Sequence, residues 1–288
     1  MKKSKLAKVL TVSLAALMVF GLASCGGGSG KVSDKDITVI SREEGSGTRD
    51  AFTELTGVLQ DDVDKTVDTA EISNSTSVVT QSVAGNDAAI GYISLGSLDD
   101  TVKAVKVDGV EATVDNIKSG DYKIQRPFNI VTKGEVKELP ADFIKFIMSK
   151  DGQKIIEDEG YISVNDNAEA YKASGLKGSI TLAGSTSVSP VMEVLADKYK
   201  ELNSGVTIEI QQTGSGAGIQ STTEGVCDIG MASRELKDDE TSQGLKSEEI
   251  ALDGIAVIVN KDNGVEDLSM DQIMKIFTGE ITSWADVK

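Results

Sequence analysis

Four short segments rich in glycine, serine and threonine set the strongest constraint on how this chain can fold. They begin near residues 41, 74, 184 and 214, and each lies between a strand-like apolar run and a helix-like pattern. Repeated strand–turn–helix units build an α/β fold, in which ligands bind at the carboxyl ends of the strands. Hydroxyls and free N–H groups at helix starts suit an anion, although the same residues are also ordinary helix N-caps. Their recurrence favours one oxyanion site built from several turns.

The segment at 41–50 carries the most specific residues of the four. It reads Ser-Arg-Glu-Glu-Gly-Ser-Gly-Thr-Arg-Asp, follows a short strand pattern and precedes a helix pattern. Gly47 lets the backbone approach a ligand closely, and the Arg42 guanidinium is a planar fork that matches an oxyanion. Ser46 and Thr48 add hydroxyl donors. The segment therefore predicts an oxyanion cradle, and the alternative is a glycine-rich turn with a Ser or Thr helix cap.

Residues 1–24 have the pattern of an export signal rather than of folded structure. Lysines precede an apolar run at 9–22, and the run ends in Leu-Ala-Ser-Cys, which looks like a bacterial lipobox. Cleavage after residue 24 would leave Cys25 as a lipidated N-terminus, followed by a tether over 25–36 that is rich in glycine and serine. We therefore expect a protein anchored by lipid at the extracytoplasmic face of the cell membrane. The alternatives are an ordinary cleaved signal and a short anchor helix, for which the apolar run is short.

The composition weighs against several classes of function. The formal net charge of −17 opposes binding to nucleic acid or to an anionic membrane surface. Because the chain has no histidine, it has no Ser–His or Cys–His nucleophile pair and no histidine metal ligand. Its two cysteines, Cys25 and Cys227, form no internal disulfide if the first is lipidated. We expect a non-enzyme without metal or cofactor, whose anion site is built locally from N–H groups, hydroxyls and one or two arginines.

Six stretches of this chain resemble the phosphate-binding lipoproteins of bacterial ABC importers. They are S-R-E-E-G-S-G-T-R-D-A-F, A-I-G-Y-I-S-L-G-S-L-D-D, I-Q-R-P-F-N-I-V-T-K, A-G-S-T-S-V-S-P, G-S-G-A-G-I and D-I-G-M-A-S-R-E-L-K. The resemblance covers nearly all of 37–288. It implies an α/β, two-lobed periplasmic-binding-protein fold of type II, the Venus-flytrap arrangement, in which the lobes close on a ligand between them.

The order of these stretches departs from the family. Family members normally have the A-G-S-T-S-V half first and the S-R-E-E-G-S-G-T-R half second, whereas here the halves are exchanged. We interpret this as a circular permutation, with the family's own chain ends joined through 163–178. The alternative is a fragment of a longer tandem chain. The predicted boundaries are 37–100 and 262–288 for lobe A, 128–250 for lobe B, and hinge crossings at 101–127 and 251–261.

The resemblance also implies ligand contacts, residue by residue. The positions that match the family's phosphate contacts are Arg42, Ser46, Gly47, Thr48, Thr186, Ser187 and Ser215. Glu44 matches an acid that supports the arginine. Ser233 stands where some members have an aspartate that accepts the proton of hydrogen phosphate, so only overall similarity favours phosphate over sulfate here. The neighbouring Arg234 either contacts the ligand as a second cation or pairs with Glu235 or Asp228.

The resemblance implies a monomeric receptor that captures inorganic phosphate and delivers it to the permease subunits of an ABC importer in the membrane. Three alternatives stay open at this point. The first is a receptor for another tetrahedral oxyanion such as sulfate or molybdate, and the second is a surface domain or phosphate sensor that keeps the fold. The third is an enzyme, a phosphatase or a serine hydrolase built on Gly45-Ser46-Gly47, against which the lack of histidine weighs.

Overall fold

The computed structural model of this protein describes residues 34–287, which lie in one compact unit. The predicted signal segment, Cys25 and most of the predicted tether fall outside the described residues. None of the helices between residues 34 and 287 combines the length and the apolar character that crossing a bilayer requires.

The first part of the described chain alternates short strands with helices. Helix starts and stops follow local chemistry: Ser46 and Ser75 cap two helices through their hydroxyls, and Gly57 ends one in the left-handed conformation with φ of +77°. The elements are β1 (Thr38–Arg42), α1 (Gly47–Thr56), β2 (Leu59–Gln60), β3 (Val63–Asp64), β4 (Glu71–Ser73), α2 (Thr76–Gly85), β5 (Ala89–Ser94), β6 (Val102–Ala104), β7 (Lys106–Val107) and α3 (Val114–Lys118).

The second part repeats the pattern and ends in a capped helix. Ser269 and Gln272 form a capping box at the start of the last helix, and Gly279 ends it at φ of +82°. The elements are β8 (Gln125–Lys133), α4 (Glu138–Ile147), α5 (Lys150–Asp158), β9 (Ile162–Ser163), β10 (Gly178–Gly184), α6 (Ser189–Leu202), β11 (Val206–Gln212), α7 (Ser215–Glu224), β12 (Ile229–Ala232), α8 (Asp238–Thr241), β13 (Leu245–Asn260), β14 (Asp267–Leu268) and α9 (Met270–Thr278).

The strands form one continuous mixed sheet whose two ends belong to different lobes. The strand order is β11-β10-β12-β8-β13-β5-β1-β4. In one lobe β1 lies parallel to β4 and β5, and in the other β10 lies parallel to β11 and β12. The long strand β13 connects the lobes, because residues 245–254 pair with β8 and residues 255–259 pair with β5. The sequence prediction of an α/β chain with two lobes therefore agrees with the observed topology.

Lobe A, which contains β1, β4 and β5, has an aromatic centre. The Phe52 ring stacks on the Tyr92 ring with centroids 3.9 Å apart, and the Phe277 ring meets Phe52 edge-on at 4.7 Å. These three side chains come from α1, β5 and α9, so residues from both ends of the chain pack in one core. Helix α9 thus packs in one core with elements from 37–100, while the predicted boundaries of lobe A stay a prediction.

Lobe B, which contains β10, β11 and β12, has a second core around Phe146 and Tyr199. The connector at 164–177 contains no helix or strand, yet Tyr171 anchors it against these rings. The hydroxyls of Tyr171 and Tyr199 both donate to the carboxylate of Asp142. These bonds lower the pKa of Asp142 although burial opposes them. The connector is thus held on the lobe B surface by defined contacts.

The crossings between the lobes are shorter than the predicted 101–127 and 251–261. Within the first range, β6 pairs with β13, β7 pairs with β14, and Ile117 of α3 packs in the lobe A core. Within the second, residues 255–259 form a central strand of lobe A. These segments belong to lobe A because each buries apolar side chains in its core. We therefore place the crossings between α3 and β8 and near residue 254 of β13.

A buried ion pair lies where the chain crosses between the lobes. Arg126 Nη2 lies 3.1 Å from Asp253 Oδ2, and both side chains are about 1% exposed. The Ser94 hydroxyl, at the end of β5, donates to the same carboxylate at 2.9 Å, and Arg126 Nη1 donates to the Ser233 carbonyl at 3.2 Å. Burial raises the pKa of Asp253 to about 6, and the charge of Arg126 opposes that rise.

Candidate anion site between the two lobes

The four glycine-, serine- and threonine-rich segments meet in one place between the lobes. They follow the carboxyl ends of β1, β4, β10 and β11, which lie in parallel arrangements within their lobes. Because parallel strands end at the same edge of a sheet, each lobe presents two such turns to the cleft. A backbone hydrogen bond across the cleft, from Gly216 N–H to the Gly45 carbonyl at 2.9 Å, shows how closely the turns approach.

Arg42 is the charged centre of the site. It is the last residue of β1 and only 2% exposed. Glu43 accepts from its Nε at 2.8 Å and from its Nη2 at 2.9 Å, so the carboxylate occupies one side of the guanidinium. The opposite side of the guanidinium faces lobe B, where Nη2 donates to Thr186 Oγ1 at 3.0 Å. The guanidinium is therefore fixed by its neighbour and directed across the cleft.

The supporting acid is Glu43, and the prediction of Glu44 for this role is wrong for this structure. The Glu43 N–H still donates to the Ser73 carbonyl at 3.1 Å, which keeps this residue in line with β1 and its side chain beside Arg42. Glu44 lies one residue further on, in the turn, where its side chain is exposed. The sequence alone did not distinguish two adjacent glutamates.

A first cluster of buried hydroxyls joins the lobes beside Arg42. Thr48 Oγ1 and Ser187 Oγ share a hydrogen bond of 2.9 Å across the cleft. Thr76 Oγ1 lies 3.2 Å from Ser187 Oγ and 3.3 Å from Thr186 Oγ1. Arg42 Nη1 lies 3.5 Å from Thr76 Oγ1. Thr76 belongs to the second of the four segments, but the family resemblance assigned no contact to it.

A second cluster of hydroxyls lies next to Gly47. Ser185 Oγ donates to Ser233 Oγ at 2.9 Å, and Ser215 Oγ lies 3.3 Å from the same atom. The Ser233 N–H also donates to Ser215 Oγ at 3.1 Å. A Cβ atom at Gly47 would lie 2.8 Å from Ser233 Oγ and 3.0 Å from Ser215 Cβ. A glycine at position 47 is therefore required for the two lobes to come this close.

Ser46 has a different task from the other hydroxyls. It is 1% exposed, and its Oγ accepts the Arg49 N–H at 3.4 Å as the N-cap of α1. The cap holds the first turn of α1, with Gly47 and Thr48, against lobe B. Ser46 thus fits the cap alternative, while Gly47 and Thr48 lie at the interface itself.

Arg234 points away from both hydroxyl clusters. Its Nη1 and Nη2 donate to the Glu240 carboxylate at 2.7 Å each, and its Nε lies 2.9 Å from Asp50 Oδ2 of lobe A. Both side-chain pairings predicted for it are wrong, because Asp228 pairs with Lys137 and Glu235 accepts only through its backbone carbonyl. Burial opposes the charge of Arg234, yet Glu240 and Asp50 raise its pKa above the usual value.

A groove of about 970 Å³ lies at the mouth of the cleft. Its lining includes Glu44, Asp50, Arg126, Arg234 and Glu240, but none of the hydroxyl-bearing residues of the two clusters. The groove is therefore the open rim beside the buried site. Between residues 34 and 287, the structure has no group of three or more His, Cys, Asp or Glu side chains placed to hold a metal ion.

The chemistry of Arg42 and of these hydroxyls suits a small anion. The guanidinium, the N–H groups at the helix starts and the hydroxyls can all donate, and the side chains among them are at most 6% exposed. At buried positions, hydrogen bonds to a charged ligand are stronger than they are at the surface.

Comparisons with a family profile and with individual proteins all indicate the same family. The PBP superfamily domain profile matches residues 28–151 and 169–288. The phosphate-binding protein PstS 2 of Streptococcus agalactiae serotype V is 52% identical over 294 residues, covering 100% of this chain and 99% of that protein. The corresponding protein of Streptococcus pneumoniae serotype 4 is 47% identical over 291 residues, covering 99% and 100%. In contrast, PstS of Bacillus subtilis matches over only 127 residues at 37% identity, which is 43% of this chain and 42% of that protein.

A solved structure shares the fold over its whole length. It is the crystal structure of a phosphate ABC transporter, phosphate-binding protein from Streptococcus pneumoniae TIGR4. The two chains are 48% identical in sequence with a TM-score of 0.72, and the match covers 88% of this chain and 100% of that one. The predicted two-lobed binding-protein fold is thereby confirmed, while the circular permutation stays a prediction. The chain belongs to the PBP superfamily and, within it, to the family of bacterial phosphate-binding proteins.

Proposed function

We propose that this protein captures inorganic phosphate between its two lobes and delivers it to the permease of an ABC importer. The observation that carries the proposal is the convergence of Arg42 from lobe A with Thr186 and Ser187 from lobe B. The streptococcal relatives are named as phosphate-binding proteins, and the related solved structure comes from a phosphate ABC transporter. The protein acts as a receptor and not as an enzyme.

The chemistry of the site suits an anion of small size. The formal charge of Arg42 is balanced by Glu43, so the ligand is held by directed hydrogen bonds more than by net charge. This arrangement suits a strongly acidic protein, because the overall field repels anions and a local set of donors has to overcome that repulsion. We assign the ligand contacts to Arg42, Gly47, Thr48, Thr186, Ser187, Ser215 and Ser233.

Two residues of the predicted set take supporting roles in this proposal. Ser46 caps α1 and so orients Gly47 and Thr48. Arg234 joins the lobes through Asp50 at the rim, where it stabilises the closed arrangement instead of touching the ligand. Glu43 replaces Glu44 as the residue that orients Arg42.

The choice between phosphate and sulfate depends on Ser233. Near neutral pH, phosphate retains a proton and sulfate has none, so a buried acceptor favours phosphate. A serine hydroxyl can accept that proton while donating elsewhere, whereas a backbone N–H cannot. We propose that Ser233, held by Ser185 and Ser215, is this acceptor. A receptor for sulfate or molybdate is the competing assignment, favoured by the lack of a carboxylate at position 233.

Several features of the molecule outside the site belong to the same proposal. Lipidation at Cys25 would keep the receptor near the membrane, where it works as a monomer with permease subunits whose ATPase is a separate chain. The exchanged halves support a circular permutation, because a local alignment with a protein of the usual order retains only one half. The match to the Bacillus subtilis protein over 43% of this chain has that form.

Calorimetric titration of the purified protein with phosphate and with sulfate tests the proposal. We expect phosphate to bind and sulfate to compete weakly. Arg42→Ala removes two donors to the ligand, so we expect the phosphate Kd to rise at least about 100-fold, since each hydrogen bond to a charged group contributes about 1.5–3 kcal/mol. Tighter binding of sulfate than of phosphate would contradict the phosphate assignment, and an unchanged Kd in Arg42→Ala would remove Arg42 from the site.

A further inference from the structure

Thr76 has contacts that nothing in the family resemblance assigns. It is the first residue of α2 and 6% exposed. Its Oγ1 lies 3.5 Å from Arg42 Nη1, 3.3 Å from Thr186 Oγ1 and 3.2 Å from Ser187 Oγ. It thus touches the charged centre of lobe A and two hydroxyls of lobe B at once. No other residue of α2 reaches these partners among the hydrogen bonds of the described residues.

The Thr76 hydroxyl is not needed to form the helix. Ser75 is the N-cap of α2, and its Oγ accepts the Val78 N–H at 3.3 Å. One turn further on, Thr80 shows the ordinary behaviour of a helical threonine, since its hydroxyl donates to the Thr76 carbonyl at 3.2 Å. The Thr76 side chain instead reaches into the cleft. Its placement is therefore explained by the site rather than by the helix.

The side of Arg42 that Thr76 contacts is the side available to a ligand. Glu43 occupies Nε and one edge of Nη2, whereas Nη1 and the other edge of Nη2 face Thr76 and Thr186. An oxyanion that bridges Nη1 and Nη2 comes within reach of both threonine hydroxyls. The Thr76 contacts of 3.2–3.5 Å are long for O–H hydrogen bonds, so little is lost when an anion oxygen replaces a hydroxyl as partner.

Hydrogen-bond chemistry determines what Thr76 contributes. A guanidinium can only donate, so Thr76 Oγ1 accepts from Arg42 and keeps its own proton for another acceptor. In the closed structure that acceptor is Thr186 or Ser187. We propose that, in the complex, the Thr76 hydroxyl donates this proton to the bound anion and is a further ligand contact from lobe A. This inference rests on the proposed function of the site.

The test compares Thr76→Val with Thr76→Ser and with the matched control Thr80→Val. Valine keeps the shape of threonine and removes only the hydroxyl, and Thr80 offers the same buried change on the same helix outside the cleft. Phosphate titration calorimetry on the full chain should show a Kd about 10- to 100-fold higher for Thr76→Val. Thr76→Ser and Thr80→Val should stay within about threefold of wild type.

Melting measurements show whether the effect is on binding or on folding. We expect Thr76→Val and Thr80→Val to have similar Tm values without phosphate, while added phosphate raises the Tm of Thr76→Val much less. Wild-type affinity in Thr76→Val would overturn the inference, and so would an equal loss in Thr76→Ser, since the hydroxyl would then not be the cause. If wild type itself bound no phosphate, the proposed function would fall first, so the two failures are distinguishable.

Discussion

Replacing Gly47 by alanine tests whether the site works by closure of the two lobes. In the closed structure a Cβ atom at this position would clash first with Ser215 Oγ, and it would lie 2.8 Å from Ser233 Oγ and 3.0 Å from Ser215 Cβ. Carbon atoms pack favourably at about 3.5–4.0 Å, so the facing lobes would have to separate by roughly 0.5–1 Å. The backbone of Gly47 does not have a positive φ, so an alanine at this position adds steric conflict without backbone strain.

The magnitude follows from the known cost of overpacking. Extra methyl groups in a closely packed interior cost about 1–3 kcal/mol. If the clash is felt only in the closed form, this cost appears in binding, and the phosphate Kd rises about 5- to 150-fold. The Tm without phosphate then changes little, because the lobes can remain slightly apart. The assays are titration calorimetry with phosphate and differential scanning calorimetry without it.

Controls separate closure from general damage to lobe A. Gly85→Ala lies at the end of α2 with no atom within 4 Å of the added methyl group, so we expect unchanged binding. Wild-type affinity in Gly47→Ala, or a loss of Tm without a loss of affinity, would refute the reasoning.

Three further predictions concern charges around the cleft. Glu43→Gln should weaken phosphate binding about tenfold because Arg42 loses its bidentate support, whereas Glu44→Gln, on an exposed side chain, should leave the Kd unchanged in the same titration. Asp50→Asn removes the partner of Arg234 across the rim, so we expect faster phosphate release by stopped-flow, and an unchanged rate would argue against a role in closure. Burial gives Asp253 a folded-state pKa of about 6 against 3.8 unfolded, so its contribution to stability is present below pH 4 and is lost as pH rises through 6. The free energy of unfolding of wild type, measured against Asp253→Asn, should therefore fall by roughly 2–3 kcal/mol between pH 4 and 6.5, at 1.36 kcal/mol per pKa unit, and a flat difference would contradict the assignment.

The residues that the sequence brought together most successfully are those at strand ends. Arg42, Thr48, Thr186 and Ser187 were predicted to share a ligand site; in the structure Arg42 contacts Thr186 and Thr48 contacts Ser187, and the shared ligand site stays a prediction. The reason is general, because turns after parallel strands lie at one edge of a sheet. The alternation of apolar runs and turns was enough to identify those edges without knowledge of the packing.

The errors came from side chains whose partners lie outside their own segment or one residue away. Glu43 and Glu44 are chemically identical in the sequence, and only the backbone bond that aligns Glu43 with β4 selects between them. Arg234 was expected to contact the ligand or to pair with Glu235 or Asp228, but it pairs with Glu240, six residues further along, and with Asp50 of the other lobe. Thr76 lay in a segment that was recognised, yet its inward rotamer could not be read from sequence.

The amino-acid sequence alone determined the α/β class and the four turns that suit an anion, since these depend on local periodicity. Its composition, which lacks histidine, alone excluded catalysis by a Ser–His or Cys–His pair. Tertiary structure alone decided which groups meet across the cleft. Arg42 and Thr186 are 144 positions apart in the chain, and their 3.0 Å contact exists only because β13 continues one sheet from lobe A into lobe B, so that strand ends of the two lobes face each other. Contacts of that kind depend on the angle between lobes to within about an ångström, and no local pattern in a sequence encodes such a distance.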